Sequence, residues 1–345
     1  MKNIILGKIQ IGEGFVPLVI PEIGINHNGN LDVAKEMVDA AFRAGARIVK
    51  HQTHVVEDEM CGAARNIIPG NADVSIYEVM ERAALNQEEE LELKRYTESL
   101  GMVFMSTPFS RAAAERLEQF GVQIYKIGSG EMNNYPLLDY VASFGKPMIV
   151  STGMNDIAKV SRAVNLLEKH GVSYALLHTT NLYPTQPRLV RLGGMQALMK
   201  EFSHVPVGFS DHTVNNSASM AAMALGAKIV ERHFTDRLDR VGPDIVCSMD
   251  EAQLGQLLQA AEEIPLMLGG EKEEAPEEKV TSDFAFASVV TIQPIRKGEV
   301  FTRKNIWVKR PGNGEILAEE YEEILGKTAE YEIPMDVQLK RGMVR

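Results

Sequence analysis

Short apolar, β-branched runs recur along the chain, each followed by a stretch of helical periodicity. Eight stand out, at residues 17–25, 46–53, 102–107, 123–129, 147–152, 174–181, 205–211 and 227–234. Between them, apolar side chains fall three and four residues apart, as in LDVAKEMVDAAFRAG, which closes on Gly45 as a C-cap, EEELELKRYTESLG and ASMAAMALG. Strand alternating with helix implies parallel pairing. Eight such units over about 250 residues is the size of a (β/α)8 barrel, so an α/β chain with a TIM barrel over residues 1–268 is expected. A doubly wound sheet is the rival. It loses because no GxGxxG follows the first strand; GSGEMN at 128–133 carries two glycines and follows the fourth.

The alternation stops after AQLGQLLQAAEEIPLMLGG, which reads as the last barrel helix. Residues 269–283 are charged, contain Pro276 and lack an apolar period, so they read as a linker. Residues 284–345 carry short β-like runs, FASVVTI and VFTRKNIWVKR, broken by Gly298, Pro311, Gly312 and Gly314. A domain that small is marginal alone and is expected to lean on the barrel or on a partner subunit. The opening MKNIILGKIQIGEGF is a short apolar run interrupted by Lys8 and Gln10, unlike a secretory signal. No apolar stretch approaches the roughly 20 residues that span a bilayer.

Composition narrows the classes further. With 345 residues, 45% of them hydrophobic and 24% charged, the chain is globular. A net charge of -11 argues against a general nucleic-acid or anionic-membrane surface, yet leaves room for a local cationic pocket. Cys61 and Cys247 lie far apart, which fits neither a disulfide framework nor a CxxC site and points to a cytoplasmic location.

In a (β/α)8 barrel the chemistry sits where strands end. Those positions hold Glu22 and Asn26; Lys50 and Gln52; Thr107; Lys126 and Ser129; Ser151 and Thr152; Thr179 to Asn181; Ser210 to His212; and Glu231 and His233. Any one Ser or Thr reads as a turn or helix cap. Caps do not require two lysines, two histidines and a carboxylate to converge. Lys50 and Lys126, each in an apolar strand, read singly as halves of internal salt bridges. Together, with the hydroxyls of Thr107, Ser129, Ser151 and Ser210, they make a cationic cup suited to a compact anion bearing phosphate and carboxylate groups.

His212 and His233 end successive strands, and two imidazoles with water suit Mn, Fe, Co or Zn. His51 and His54 compete as ligands, although His51 should point away from the side of Lys50. His178 would stand behind the ligands at best. There is no GxSxG and no GxxxxGK[ST], so a serine nucleophile and a nucleotide-type phosphate loop are unsupported.

The strings EIGINHNGN, VKHQTH, IPGNADVSIYE, STPFSRAAAERL, YKIGSGEMNNYP, STGMN, HTTNLYPT, GFSDHT, ERHFTDR, GPDIVCSM, DFAFASVV and WVKRPGNG together resemble the sialic acid synthase family, and within it the bacterial N-acetylneuraminate synthases. The resemblance covers nearly the whole chain, and residues 284–345 resemble the antifreeze-like (SAF) module. It implies condensation of phosphoenolpyruvate with N-acetylmannosamine and water, releasing phosphate through C–O cleavage. It further implies a divalent metal on His212 and His233, Mn2+ first with Mg2+ or Co2+ as alternatives. Lys50, Thr107, Lys126, Ser129, Ser151 and Ser210 would bind phosphoenolpyruvate. Glu22, Gln52, Asn181, Tyr183 and Asp244 would contact the amino sugar, with Glu22, Lys50, Lys126 and Asp244 the catalytic groups. Arg310 would reach the barrel of the neighbouring subunit in a domain-swapped homodimer.

Two other readings stay open. Legionaminic and pseudaminic acid synthases run the same chemistry on 6-deoxy diacetamido sugars. A non-catalytic carbohydrate-binding or ice-binding protein would leave the strand-end residues dispensable, and a metal-dependent aldolase acting on pyruvate would need no phosphate cup.

Overall fold

Eight parallel strands close into a barrel, each with polar residues at or just around its C-terminal end: β3 (Leu18–Gly24), β4 (Ile48–Thr53), β5 (Val103–Pro108), β6 (Tyr125–Ile127), β7 (Met148–Ser151), β8 (Tyr174–Thr179), β9 (Val207–Asp211) and β10 (Ile229–His233). All eight expected runs are strands, and β10 pairs with β3 to complete the ring. The computed structural model describes residues 3–6, 9–70 and 72–345, and it divides into two compact units, Met1–Gly269 and Gly270–Arg345.

Intervening helices take their ends from local sequence. Asn30 accepts from the Val33 amide to start Leu31–Arg43, which ends on Ala44 with Gly45 following at φ +99°. Asn86 and Glu89 form a reciprocal capping box on Gln87–Ser99. The apolar faces of the helices cover the outside of the barrel in one continuous core that includes Met37, Leu93, Leu117, Leu138, Leu167 and Leu257.

Inside the barrel the side chains are layered by the two-residue period of a strand. Lower positions are apolar, with Ile20, Ile48, Met105, Ile124, Ile149, Leu177 and Ile229 packed together. Two residues further along most strands the inward positions turn polar: Glu22, Lys50, Thr107, Lys126, Ser151, Thr179 and Glu231. The apolar floor is completed by an antiparallel hairpin, β1 (Ile4–Leu6) and β2 (Ile9–Ile11), whose Ile4, Ile9 and Ile11 join the same cluster. In the sequence this segment is only a short apolar run without a strand period.

One irregularity bears on the site. Glu22 of β3 stands opposite Lys50 of β4, but Gly24 stands opposite His51, so the register slips by one residue between them. Gly24 absorbs the bulge at φ +50°, a left-handed backbone that a side chain resists.

The second unit pairs β11 (Ser288–Thr291) with β12 (Ile306–Lys309) antiparallel and adds isolated bridges around its own core of Val289, Ile295, Phe301, Ile306, Ile316 and Leu339. The segment expected as a linker contains short helical elements. Residues Pro276–Glu278 form a 3-10 turn and Lys279–Ala285 a helix, so the boundary expected between 283 and 284 falls inside an element. Pro276 is pre-set for a first helical turn, and Glu278 turns back to the Ala275 amide, local signals that the missing apolar period concealed.

Candidate active site

The eight strand ends enclose a cavity of about 210 Å3. Of the residues singled out from sequence, Glu22, Lys50, Gln52, Thr107, Lys126, Ser129, Ser151, Asn181, Tyr183, Ser210, His212 and His233 line it. Asp244 stands just behind, buried, with Oδ2 3.6 Å from His233 Nδ1. Arg310 belongs to the second unit, follows β12 directly and is exposed.

Both lysines are buried and both have carboxylate partners. Lys50 donates to Glu22 and lies 3.7 Å from Glu231; Lys126 lies 3.5 Å from Glu231 and donates to Ser151 Oγ at 2.7 Å and to the Ile127 carbonyl at 3.2 Å. This corrects the expectation of a cationic cup. Two ammonium groups cannot be held in a dry floor without counter-charge, and the strand ends supply it from Glu22 and Glu231. Sequence order hides the pairing because these carboxylates come from β3 and β10, the two strands that close the ring.

The electrostatics follow from burial set against pairing. For Glu22, burial pushes the carboxyl up, but Lys50 outweighs it and holds the group below its usual range. Burial likewise works against the Lys50 ammonium, and Glu22 with Glu231 more than restores it, leaving it raised. Lys126 differs: burial wins over Glu231, and Lys50 repels it, so it is depressed. Burial also raises Glu131, which lines the cavity, and Asp244.

Several buried polar atoms at the cavity have no hydrogen-bond partner among the described residues: Thr107 Oγ1, Asn181 Oδ1, Glu231 Oε2 and His233 Nδ1. Buried polar groups are ordinarily satisfied, so a cluster of orphans facing one cavity marks where a ligand's polar groups belong.

The cavity offers two imidazoles of the kind that ligate divalent cations, and among the described residues no group of three or more His, Cys, Asp or Glu side chains gathers there. His212 Nδ1 lies 2.9 Å from the Thr180 carbonyl, which fixes that nitrogen as N–H and leaves Nε2 with its lone pair. His233 keeps Nδ1 unpartnered, and the two rings stand 5.4 Å apart. Burial pushes His212 down and His233 down to about 4, so both are neutral imidazoles, the ligating form. The remaining histidines go elsewhere. His51 faces Glu90 behind the barrel wall, as the strand alternation required, His54 contacts Glu59 and Gln52, and His178 bonds the Val190 carbonyl.

Sequence reasoning gave no role to the lining residues Phe109, Glu131, Thr179 and Glu231, nor to Gly128 and Gly130. Glu231 was visible as a strand-end carboxylate, two residues before His233. Glu131 could have been found as the acid two positions beyond Ser129 in the loop after β6. Phe109, just past β5, carried no signal of its own.

A closed parallel barrel with its polar residues gathered at the strand ends is the architecture of a (β/α)8 enzyme. The chain matches the NeuB family over residues 37–273 and the SAF domain over residues 286–345. It is 36% identical to the N,N'-diacetyllegionaminic acid synthase of Campylobacter jejuni over 90% of this chain and 95% of that one. It is 32% identical to the human N-acetylneuraminate-9-phosphate synthase over 84% and 82%. Among solved structures, the N-acetylneuraminic acid (sialic acid) synthetase of Leptospira borgpetersenii, crystallised with citrate, aligns with a TM-score of 0.74 and 30% identity, covering 81% of this chain and 95% of that one. The chain belongs to the NeuB family, the sialic-acid-type synthases, and carries a C-terminal SAF domain.

Proposed function

We propose that the protein is an N-acetylneuraminate synthase that condenses phosphoenolpyruvate with open-chain N-acetylmannosamine and water, releasing phosphate and a nine-carbon sugar acid. One observation carries this reading: Lys50 and Lys126 stand among Thr107, Ser129, Ser151 and Ser210 at the floor of a cavity whose free polar atoms await a ligand. A carbohydrate-binding or ice-binding protein has no use for two buried, carboxylate-paired lysines.

In the proposed reaction a bond forms between C3 of phosphoenolpyruvate and the sugar aldehyde carbon, C2 gains cationic character, water adds there, and the C2–O bond to phosphate breaks. Lys126, steadied by Ser151, binds the phosphate and favours its departure. Glu22, kept ionised by Lys50, stabilises positive charge at C2 and orients the water. Asn181, Tyr183 and Gln52 place the amino sugar above. Lys50 and Lys126 are already balanced by Glu22 and Glu231, so a polyanion needs a further cation in the cavity. A divalent ion held by His212 and His233, Mn2+ by family resemblance with Mg2+ or Co2+ as alternatives, would supply that charge and polarise the aldehyde.

A second reading changes the acceptor. The greater identity to a legionaminic acid synthase favours a 6-deoxy diacetamido sugar, and pocket differences at one or two carbons are worth about 1–3 kcal/mol each. Incubation of the purified protein with phosphoenolpyruvate, Mn2+ and each candidate sugar, phosphorylated and not, reads both points through phosphate release and product mass. Turnover only with diacetamido sugars transfers the assignment to the second reading, and no phosphate release with any sugar sinks both. By the same resemblance, Arg310 of a second copy in a domain-swapped homodimer would complete the amino-sugar site. Mixing an Arg310→Ala chain with a Lys126→Ala chain should then restore part of the activity, and proven heterodimers without rescue would refute the exchange.

A further inference from the structure

His54 sits one residue past β4 with 1% of its side chain exposed, stacked on Phe109 at 4.4 Å between ring centres. Its Nδ1 lies 2.7 Å from Glu59 Oε2, on the short helix Val56–Glu59, and its Nε2 lies 3.1 Å from Gln52 Oε1. Gln52 in turn donates from Nε2 to Glu22 Oε1 at 2.5 Å, while Lys50 occupies the other oxygen of Glu22.

This chain of bonds dictates where protons sit. Glu22, facing Lys50, is a carboxylate and can only accept, so Gln52 presents its amide nitrogen to Glu22 and its carbonyl oxygen to His54. A carbonyl oxygen can only accept, so Nε2 of His54 carries a proton. An ionised Glu59 can only accept, so Nδ1 carries one too. We propose that His54 is held as an imidazolium between Glu59 and Gln52 and serves as a positioning residue for Glu22; its effect on turnover rests on the reaction proposed above.

Charged and titratable groups face His54 from three further elements. Glu59 comes from the short helix, Glu131 from the 3-10 turn after β6, and His27 from the loop after β3. Burial pushes His27 down to about 3, so it adds no positive charge. The resulting order, Lys50 positive, Glu22 negative, His54 positive, Glu59 negative, alternates along one hydrogen-bonded line. Loss of the Nε2 proton would set a lone pair against the Gln52 oxygen. Gln52 would then turn away, and Glu22 would lose its second anchor. Glu22 is therefore best placed while Nε2 of His54 keeps its proton against the Gln52 oxygen.

Two measurements on the full chain test this. The first is the 15N imidazole spectrum at pH 7, in which His54 is identified among the eight histidines by its disappearance in His54→Gln. Both nitrogens should be protonated; a neutral tautomer overturns the proposal. The second is kinetic. His54→Gln should raise KM for the amino sugar about 10- to 100-fold, the scale of a lost charge-assisted hydrogen bond, with KM for phosphoenolpyruvate within about twofold of the wild type. Glu59→Gln, which weakens the acceptor at Nδ1, should raise the same KM and leave that for phosphoenolpyruvate within about twofold of the wild type. Equal changes in both KM values, or no change, would show a merely structural or idle histidine and overturn the positioning role. If the wild type turns over no amino sugar, the reading under Proposed function fails, while the imidazole spectrum still decides whether His54 holds the proton.

Discussion

Lys126 Nζ and Glu231 Oε1 lie 3.5 Å apart at the floor of the cavity, both side chains 4% exposed or less. Removing one partner of such a pair leaves the other buried and uncompensated, at about 3–5 kcal/mol. Lys126→Met should therefore destabilise the fold in chemical denaturation, and Lys126→Met with Glu231→Gln should recover most of that loss. Phosphoenolpyruvate use should fall at least about 100-fold in both, since neither restores a cation. A double variant that regains activity would remove Lys126 from the phosphate site.

The same lysine makes substrate binding sensitive to alkali. Burial holds its ammonium below the ordinary lysine range, and Glu231 partly offsets that. Binding needs the charged form, so kcat/KM for phosphoenolpyruvate should fall as pH rises through this depressed value. Glu231→Gln removes a group that raises it and should shift the fall to still lower pH. A limb that moves upward would contradict the pairing.

The proposed metal site on His212 and His233 can be tested without turnover. Calorimetric titration of Mn2+ should show a site in the wild type that is lost in His212→Ala and in His233→Ala. Chelation should abolish phosphate release and Mn2+ restore it; full activity after rigorous metal removal would end the assignment.

Gly24 offers a steric test of the Glu22 anchorage. A Cβ there would lie 3.3 Å from both Gln52 Nε2 and Glu22 Oε1, on a backbone at φ +50°. Gly24→Ala should cost about 1–2 kcal/mol in stability through that left-handed backbone, and should lower kcat more than it raises KM for phosphoenolpyruvate. Wild-type kcat in a folded Gly24→Ala protein would show that Glu22 tolerates displacement.

What could be read from the sequence followed from one-dimensional patterns. All eight barrel strands announced themselves because β-branched runs alternate with helical ones, and the strand-end rule located Lys50, Lys126, His212 and His233 in one cavity. The strands Ile4–Leu6 and Ile9–Ile11 escaped because runs of three residues carry no period. The helix Lys279–Ala285 escaped because its residues are largely exposed and lack an apolar stripe. Charge balance in the floor was invisible for another reason. Lys126 and Glu231 meet only when the ring closes, and the path from Glu59 through His54 to Glu22 depends on which atom of each side chain faces the next. His54 could thus be noticed as a histidine near the mouth but not assigned a partner.

The hairpin that fills the lower end of the barrel also bears on the cavity. With Ile4, Ile9 and Ile11 in one apolar cluster with Ile20, Ile48 and Ile229, the polar layer of the cavity rests on a filled floor. Whatever binds at the lysines lies beneath whatever binds at Asn181 and Tyr183. In the proposed reaction the phosphorylated acid sits at the lysine layer directly on that floor, and the amino sugar sits nearer the loops.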